Sequence, residues 1–408
     1  MSCKNRKVCS KLFSDNGPAA GRHVCLVTAF LAAIGARGVG AQEKCSDPSL
    51  DNLKHPPNTA TSPLGELGRV DKVGTGPVPV ILIPGAAFGG SIWKDFMERN
   101  REAYTMYAIT PPGYEGTEPP PWPEKNDFSD RVWTDALCKA IVKLIDDKKL
   151  DRPVLVGHHM MGDHYALRIA LDHPKKIRGV VVIAGTPSMA LPAYGQNGPG
   201  KPIKTASSEQ RSQMVHGYFM PWYKTVTDKM WRAGTFQPRD FCRNTTRAAQ
   251  LYDLQVSVPI PTQLAYFFEY EVADLEPDLG KLTVPLLAVV PKSEWTLDIV
   301  VDKHRESNEI MYGDRDKAKA AWTGNLTAQW GEVNEGIKWS YDWKFRWERL
   351  RGVIPMLAIR EIADTGIFIM EDQPKALDQE LRSFIRGIVR SFGTRAEEEH
   401  EQVGGNGT

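Results

Sequence analysis

The sequence predicts an α/β protein built on a mostly parallel sheet with helices on both faces. Three observations carry this. Short apolar runs alternate with helical stretches from about Gly68 onward. Val154–Val156 turns at Gly157 directly into a helix. After an aromatic, proline-rich interruption, the same rhythm resumes at Val284–Val290.

A chain of 408 residues can bury a large core, and one α/β domain with insertions accounts for it. Pro56, Pro57 and Pro63 mark a loose start that leads into a first strand near Gly68–Lys72. Val78–Ile83 reads as a buried strand, and Met106–Thr110 as the next, ending in Pro111-Pro112-Gly113. Phe128 to Leu150 reads as a helix, with Val132, Leu137, Ile141, Leu144 and Ile145 forming its apolar stripe. The helix after Gly157 runs to His173, before Pro174, and Val180–Ile183 is another strand. These elements make residues 42–186 the first part of the core.

Residues 187–280 break the pattern and are expected to form a helical lid. Residues 281–294 return to the core with one strand. A second, aromatic-rich helical insertion follows at 295–351. Within it Trp339, Trp343 and Trp347 recur every four residues, the spacing of one helix face packed into a core. Residues 352–393 supply the last strand, Met356–Ile359, and a closing helix, Pro374–Phe392. The charged, glycine-ending segment 394–408 is expected to be a disordered tail.

Residues 1–41 read as a signal peptide. Arg6, Lys7, Lys11, Arg22 and His23 precede the apolar stretch Val24–Ile34, and Val39-Gly40-Ala41 suits cleavage before Gln42. The apolar run of about 11 residues is shorter than the roughly 20 a spanning helix needs. A secreted or periplasmic protein with no membrane span after signal removal is therefore expected. The plainer readings are an uncleaved anchor or an unstructured leader. Of six cysteines, Cys45, Cys138 and Cys242 lie beyond this segment. That is too few for a disulfide framework, although one pair can form in an oxidising compartment, and their spacing is not a zinc motif. The formal net charge of +1 offers nucleic acid no electrostatic footing.

The run Val154-Leu155-Val156-Gly157-His158-His159-Met160-Met161-Gly162, followed by Ala166-Leu167-Arg168-Ile169-Ala170-Leu171-Asp172-His173-Pro174, resembles the strand, nucleophile elbow and helix of the α/β-hydrolase superfamily. Ile81-Leu82-Ile83-Pro84-Gly85-Ala86 resembles its oxyanion loop. Gly366-Ile367-Phe368-Ile369-Met370-Glu371-Asp372-Gln373-Pro374 resembles the segment that carries the catalytic histidine. The resemblance spans about residues 65 to 392 and implies an α/β-hydrolase fold. It places His159 at the exposed apex of the elbow, with the N–H groups of Met160 and Ala86 as oxyanion donors. It places an acid near Glu294 and Ile367 where the histidine belongs. Against the pattern G-x-S-x-G, this chain has histidine for serine and Met161 for the last glycine, which implies a rearranged elbow.

A serine hydroxyl needs an adjacent base to attack at neutral pH. Neither group stands where the resemblance puts it, so ordinary triad chemistry would require a displaced serine, Ser91 or Ser188. Three readings stay open. His159 can act as nucleophile or as general base toward water, oriented by Glu294, on a small ester-like or apolar substrate. The scaffold can instead bind a small molecule or a partner without turnover. His158, His159, Asp163 and His164 crowd together, but they do not match H-x-H-x-D-H, and no metal or cofactor is implied. The plainer readings are that His158 packs in the core, that Asp163 and His164 cap or solvate the first helical turns, and that Ser91 caps the helix near Ile92. His158, His164, Ile367 and Ser91 remain pocket candidates.

Overall fold

The apolar runs Val78–Ile83, Val154–His158 and Gly179–Ile183 are the central strands of a seven-stranded sheet. The computed structural model describes residues 61–404, except 123–127, 194–195, 198–199 and 220–241. The leader through Ala41, the cleavage site and Cys45 lie outside the described residues.

The strands are β1 (Arg69–Val73), β2 (Val78–Ile83), β3 (Tyr104–Thr110), β4 (Val154–His158), β5 (Gly179–Ile183), β6 (Leu286–Pro291) and β7 (Leu357–Ile362). The helices are α1 (Lys94–Asn100), α2 (Val132–Asp147), α3 (Met161–Asp172), α4 (Ser208–Met214), α5 (Thr245–Ser257), α6 (Ile260–Val272), α7 (Leu297–Lys303), α8 (Arg305–Tyr312), α9 (Arg315–Trp330), α10 (Val333–Tyr341), α11 (Trp343–Glu348), α12 (Ile369–Asp372) and α13 (Pro374–Gly404). Sheet order is β1-β3-β2-β4-β5-β6-β7, with β1 antiparallel to β3 and every other pair parallel.

The chain divides into two compact units. One comprises His55–Met189, Gln237–Ser293 and Trp343–Thr408, and holds the sheet. Ile81, Leu82, Ile83, Leu155, Val156, Val181, Val182 and Ala288 are wholly buried there. Covering a branched side chain of this kind contributes about 1.5–3 kcal/mol. The division departs from the lid and insertion boundaries expected at 187–280 and 295–351, and the packing gives the reason. Helix α6 is buried at every residue but Pro261, and it packs on α2 and α3 of the sheet unit. Its Glu269 accepts from the N–H groups of Trp133 (2.9 Å) and Thr134 (2.6 Å), at an N-terminus whose own flanking residue, Arg131, supplies no side-chain cap. Helix α11 likewise packs on β6 and β7.

The other unit includes Ala190–Phe236 and Glu294–Asp342 and carries α4 and α7–α10. Trp330 and Trp339 stack with centroids 5.4 Å apart, and Gly336 leaves the room Trp330 needs. His304 stacks on Trp322, whose Nε1 donates to Asn308 Oδ1 at 3.1 Å. Trp339, Trp343 and Trp347 are all buried, but they do not share one helix face. Helix α10 ends at Tyr341 and α11 opens at Trp343. The expected tail is also different: α13 continues as helix to Gly404, through Ala396, four glutamates and Gln402, residues of high helix propensity. Cys138 and Cys242 are buried free thiols. Among the described residues, no helix is long and apolar enough to cross a membrane.

Candidate active site

In open α/β sheets, ligands bind beyond the carboxyl ends of strands where chain order reverses. Here the chain leaves β2 for β3 on one side and later returns to β4 on the other, so the crossover lies between β2 and β4. The segments that follow those strands, Pro84–Phe88 and His159–Met161, meet there. A side-chain carbon on Gly85 would lie 2.9 Å from the His159 carbonyl oxygen and 3.0 Å from His158 Nδ1. Among closely buried neighbours, Ala86, His159 and Met160 keep partial exposure.

The elbow differs in register from the sequence mapping. Its reversal falls on Met160 (φ 54°, ψ −100°), which immediately precedes α3, while His159 also holds a positive φ of 32°. Met160 rather than His159 therefore stands at the strained apex. The next N–H after the reversal belongs to Met161 rather than Met160. Met161 opens α3, so its amide has no partner within the helix. The small residue that lets the turn pack is Gly162, where a Cβ would meet the carbonyl oxygens of Pro84 at 2.6 Å and Ile83 at 2.7 Å. Gly157 sits against it, with space for no Cβ within 2.3 Å of Gly162 O. One residue has in effect been added between Gly157 and the apex, and this is how Met161 is accommodated.

His159 is half-buried at the end of β4. Its N–H donates to Ile183 O at 2.9 Å, and Nδ1 lies 2.8 Å from Ala184 O. A carbonyl only accepts, so Nδ1 carries the proton and Nε2 the lone pair. Trp343 stands edge-on at 6.0 Å. Burial lowers the imidazole pKa to about 4, against the opposing pull of the Ala184 carbonyl, and keeps the ring neutral at physiological pH.

His158 is wholly buried, with Trp93 and Phe368 rings at 6.0 and 5.1 Å. Its Nε2 donates to Ile367 O at 3.0 Å, and its Nδ1 has no hydrogen-bond partner. Burial first, then the neighbouring His159, lowers its pKa to about 3. Ile367, where the sequence resemblance leads us to expect a histidine, is 1% exposed, and its backbone carbonyl meets His158.

Asp163 neither solvates its helix nor faces water. It is wholly buried, accepting from Thr186 N–H at 2.6 Å and His164 N–H at 3.0 Å, and burial pushes its carboxyl well up. Gly185 permits this approach, because a Cβ there would lie 2.2 Å from Asp163 Oδ2. The same loop is held by Trp347 Nε1, which donates to Gly185 O at 2.8 Å, and by the Arg346 guanidinium, which donates to Ser188 O. The Ala184 carbonyl that orients His159 belongs to this tethered segment. His164 is buried edge-on to Tyr270, 5.7 Å between centroids. Ser91 is not a helix cap: its hydroxyl donates to the Glu115 carboxylate, which itself accepts from Gly89 N–H at 3.1 Å and Arg69 at 2.6 Å. Ser188 is buried behind the same Arg346 contact. Glu294 is exposed and belongs to the other compact unit. Among the described residues, no three His, Cys, Asp or Glu side chains gather as a metal set.

Sequence reasoning did not single out Arg346, Thr186, Glu115 or Tyr114. Only the last carried any signal, its place directly after the turn Pro111-Pro112-Gly113.

The chain belongs to the alpha/beta hydrolase family, which matches residues 80–380. The pimeloyl-(acyl-carrier protein) methyl ester esterase of Proteus mirabilis is 24% identical over 118 residues, 29% of this chain and 40% of that enzyme. The match thus spans under half the length of that relative. Among solved structures, a bromoperoxidase from Bacillus anthracis has a TM-score of 0.52 at 15% identity, over 78% of this chain and 94% of that one. A thermophilic esterase from Thermogutta terrifontis has 0.49 at 17% identity, over 78% and 93%. The bromoperoxidase likeness carries the fold alone.

Proposed function

We propose that this protein is an exported hydrolase of small ester-like substrates, with His159 as general base. The observation that carries the reading is the Nδ1 contact to Ala184 O, which places the proton on Nδ1 and the basic lone pair on Nε2. A substrate carbonyl would lie between the N–H groups of Ala86 and Met161. Water attacks the carbonyl carbon as its proton passes to Nε2, and the carbonyl oxygen becomes the oxyanion. When the tetrahedral intermediate collapses, the C–O bond to the leaving group breaks and the proton returns from Nε2 to that alkoxide. An imidazole titrating near 4 is a weak base, so the substrates favoured are those with good leaving groups. Glu294 takes no part in this account. Export rests on the apolar Val24–Ile34 segment and Val39-Gly40-Ala41.

The test compares mature protein with His159→Ala on activated aryl esters. A loss of about 10²- to 10⁴-fold is expected, with a wild-type rate that rises through pH 4 rather than 6.5. Equal rates for the two proteins would sink the mechanism. A second reading, ligand binding without turnover, is favoured by a methionine at the elbow apex and an isoleucine at the histidine position. It predicts ligand-induced thermal stabilisation with no hydrolysis of any ester in the panel.

A further inference from the structure

Tyr114 lies on the loop after β3 and is 1% exposed. Its ring is fixed edge-on to Tyr266 at 5.1 Å, and the Tyr266 hydroxyl in turn donates to Pro112 O at 3.1 Å. The Tyr114 hydroxyl therefore has a defined place beside the elbow. It donates to Met161 Sδ at 3.8 Å, on the residue that follows the elbow's reversal. A thioether is a weak acceptor. A buried phenol whose proton rests on sulfur is a donor held ready for a better acceptor. The proposed carbonyl site brings one such acceptor to this segment, the substrate's carbonyl oxygen.

We infer that Tyr114 is a third, side-chain donor to the substrate carbonyl oxygen, exchanging its contact with Met161 Sδ for one with the oxyanion. The inference rests on the proposed carbonyl site, but not on His159 chemistry. Water is excluded around the phenol, so no solvent competes for its proton, and a donor aimed at developing charge is worth more there than in water.

The experiment uses the mature chain and an aryl methyl ketone labelled with ¹³C at its carbonyl, read by difference infrared spectroscopy. The carbonyl band is expected at lower wavenumber when bound to the wild type, to lose most of that shift in Tyr114→Phe, and to keep it in His159→Ala. On ester substrates, Tyr114→Phe should lower kcat about 10²-fold with KM changed by less than about twofold. An identical band in wild type and Tyr114→Phe overturns the inference. A shifted band without ester turnover overturns the hydrolase reading and leaves Tyr114 as a carbonyl-binding donor. Should Tyr114→Phe fail to fold, tyrosine ¹³Cζ spectra of the wild type decide the matter. One of the twelve tyrosine resonances must move when the ketone binds, and none moving refutes the assignment.

Discussion

Replacing Gly162 by alanine tests the register of the elbow. The new Cβ would stand 2.6 Å from Pro84 O and 2.7 Å from Ile83 O, both backbone atoms at the end of β2. Restoring an ordinary contact of about 3.4 Å requires the first turn of α3 to move by roughly 0.8 Å. No rotamer can absorb this, because neither partner is a side chain. Overpacking of this kind costs about 1–3 kcal/mol, offset by up to about 1 kcal/mol from the stiffer unfolded chain. The assay is urea unfolding, with a lower midpoint at unchanged slope. Gly324→Ala is the control. That residue lies inside α9 with nothing within 4 Å of a new Cβ, so a gain of about 0.5–1 kcal/mol is expected. If Gly162→Ala is as stable as the wild type, the elbow does not close on Gly162 and Met160 is not its apex.

Two pH predictions follow from the buried groups, and they have opposite sign. Burial pushes the pKa of Glu269 from 4.5 up to about 7 against three hydrogen bonds that pull it down. Its contribution is therefore present below about 4.5 and lost as pH rises through about 7, by about 3 kcal/mol at most; Glu269→Gln should flatten that limb. His158 falls from 6.5 to about 3, so its contribution is present above 6.5 and lost as pH falls toward 3. His158→Phe should make that acid limb shallower, because His159 still contributes to it, while costing about 1–3 kcal/mol at neutral pH, because the Ile367 carbonyl loses its donor. Urea midpoints from pH 3 to 8 check both, and an acid limb as steep in His158→Phe as in the wild type would refute the second.

Much of the fold was legible in the amino-acid order. Val78–Ile83 is a strand from first to last residue as its apolar run predicted, and the elements around it differ from expectation by a few residues at their ends. The two segments that meet at the crossover were legible too, since Pro84-Gly85-Ala86 and Gly157–Gly162 are local motifs that mark the ends of β2 and β4. What was not legible has a common character. The mapping of His159 to the apex rested on counting from Gly157, and counting cannot say on which side of an added residue the chain reverses. Asp163 read as a cap or solvated residue of its helix, and Arg346 and Glu269 carried no local signal. The contacts that hold them reach residues roughly 20 to 160 positions away, which no periodicity reports.

By itself, then, the sequence determined the parallel sheet and the two segments that meet at its crossover. Those are properties of runs and spacings, and they survive without coordinates. The tertiary structure alone decided that Met160 takes the strained turn and that Gly162 admits the close approach of β2. It also decided that His159 is held through Ala184 and that the phenol of Tyr114 meets Met161. Each depends on a backbone dihedral or on a contact between distant segments, and both are set by packing the whole domain at once.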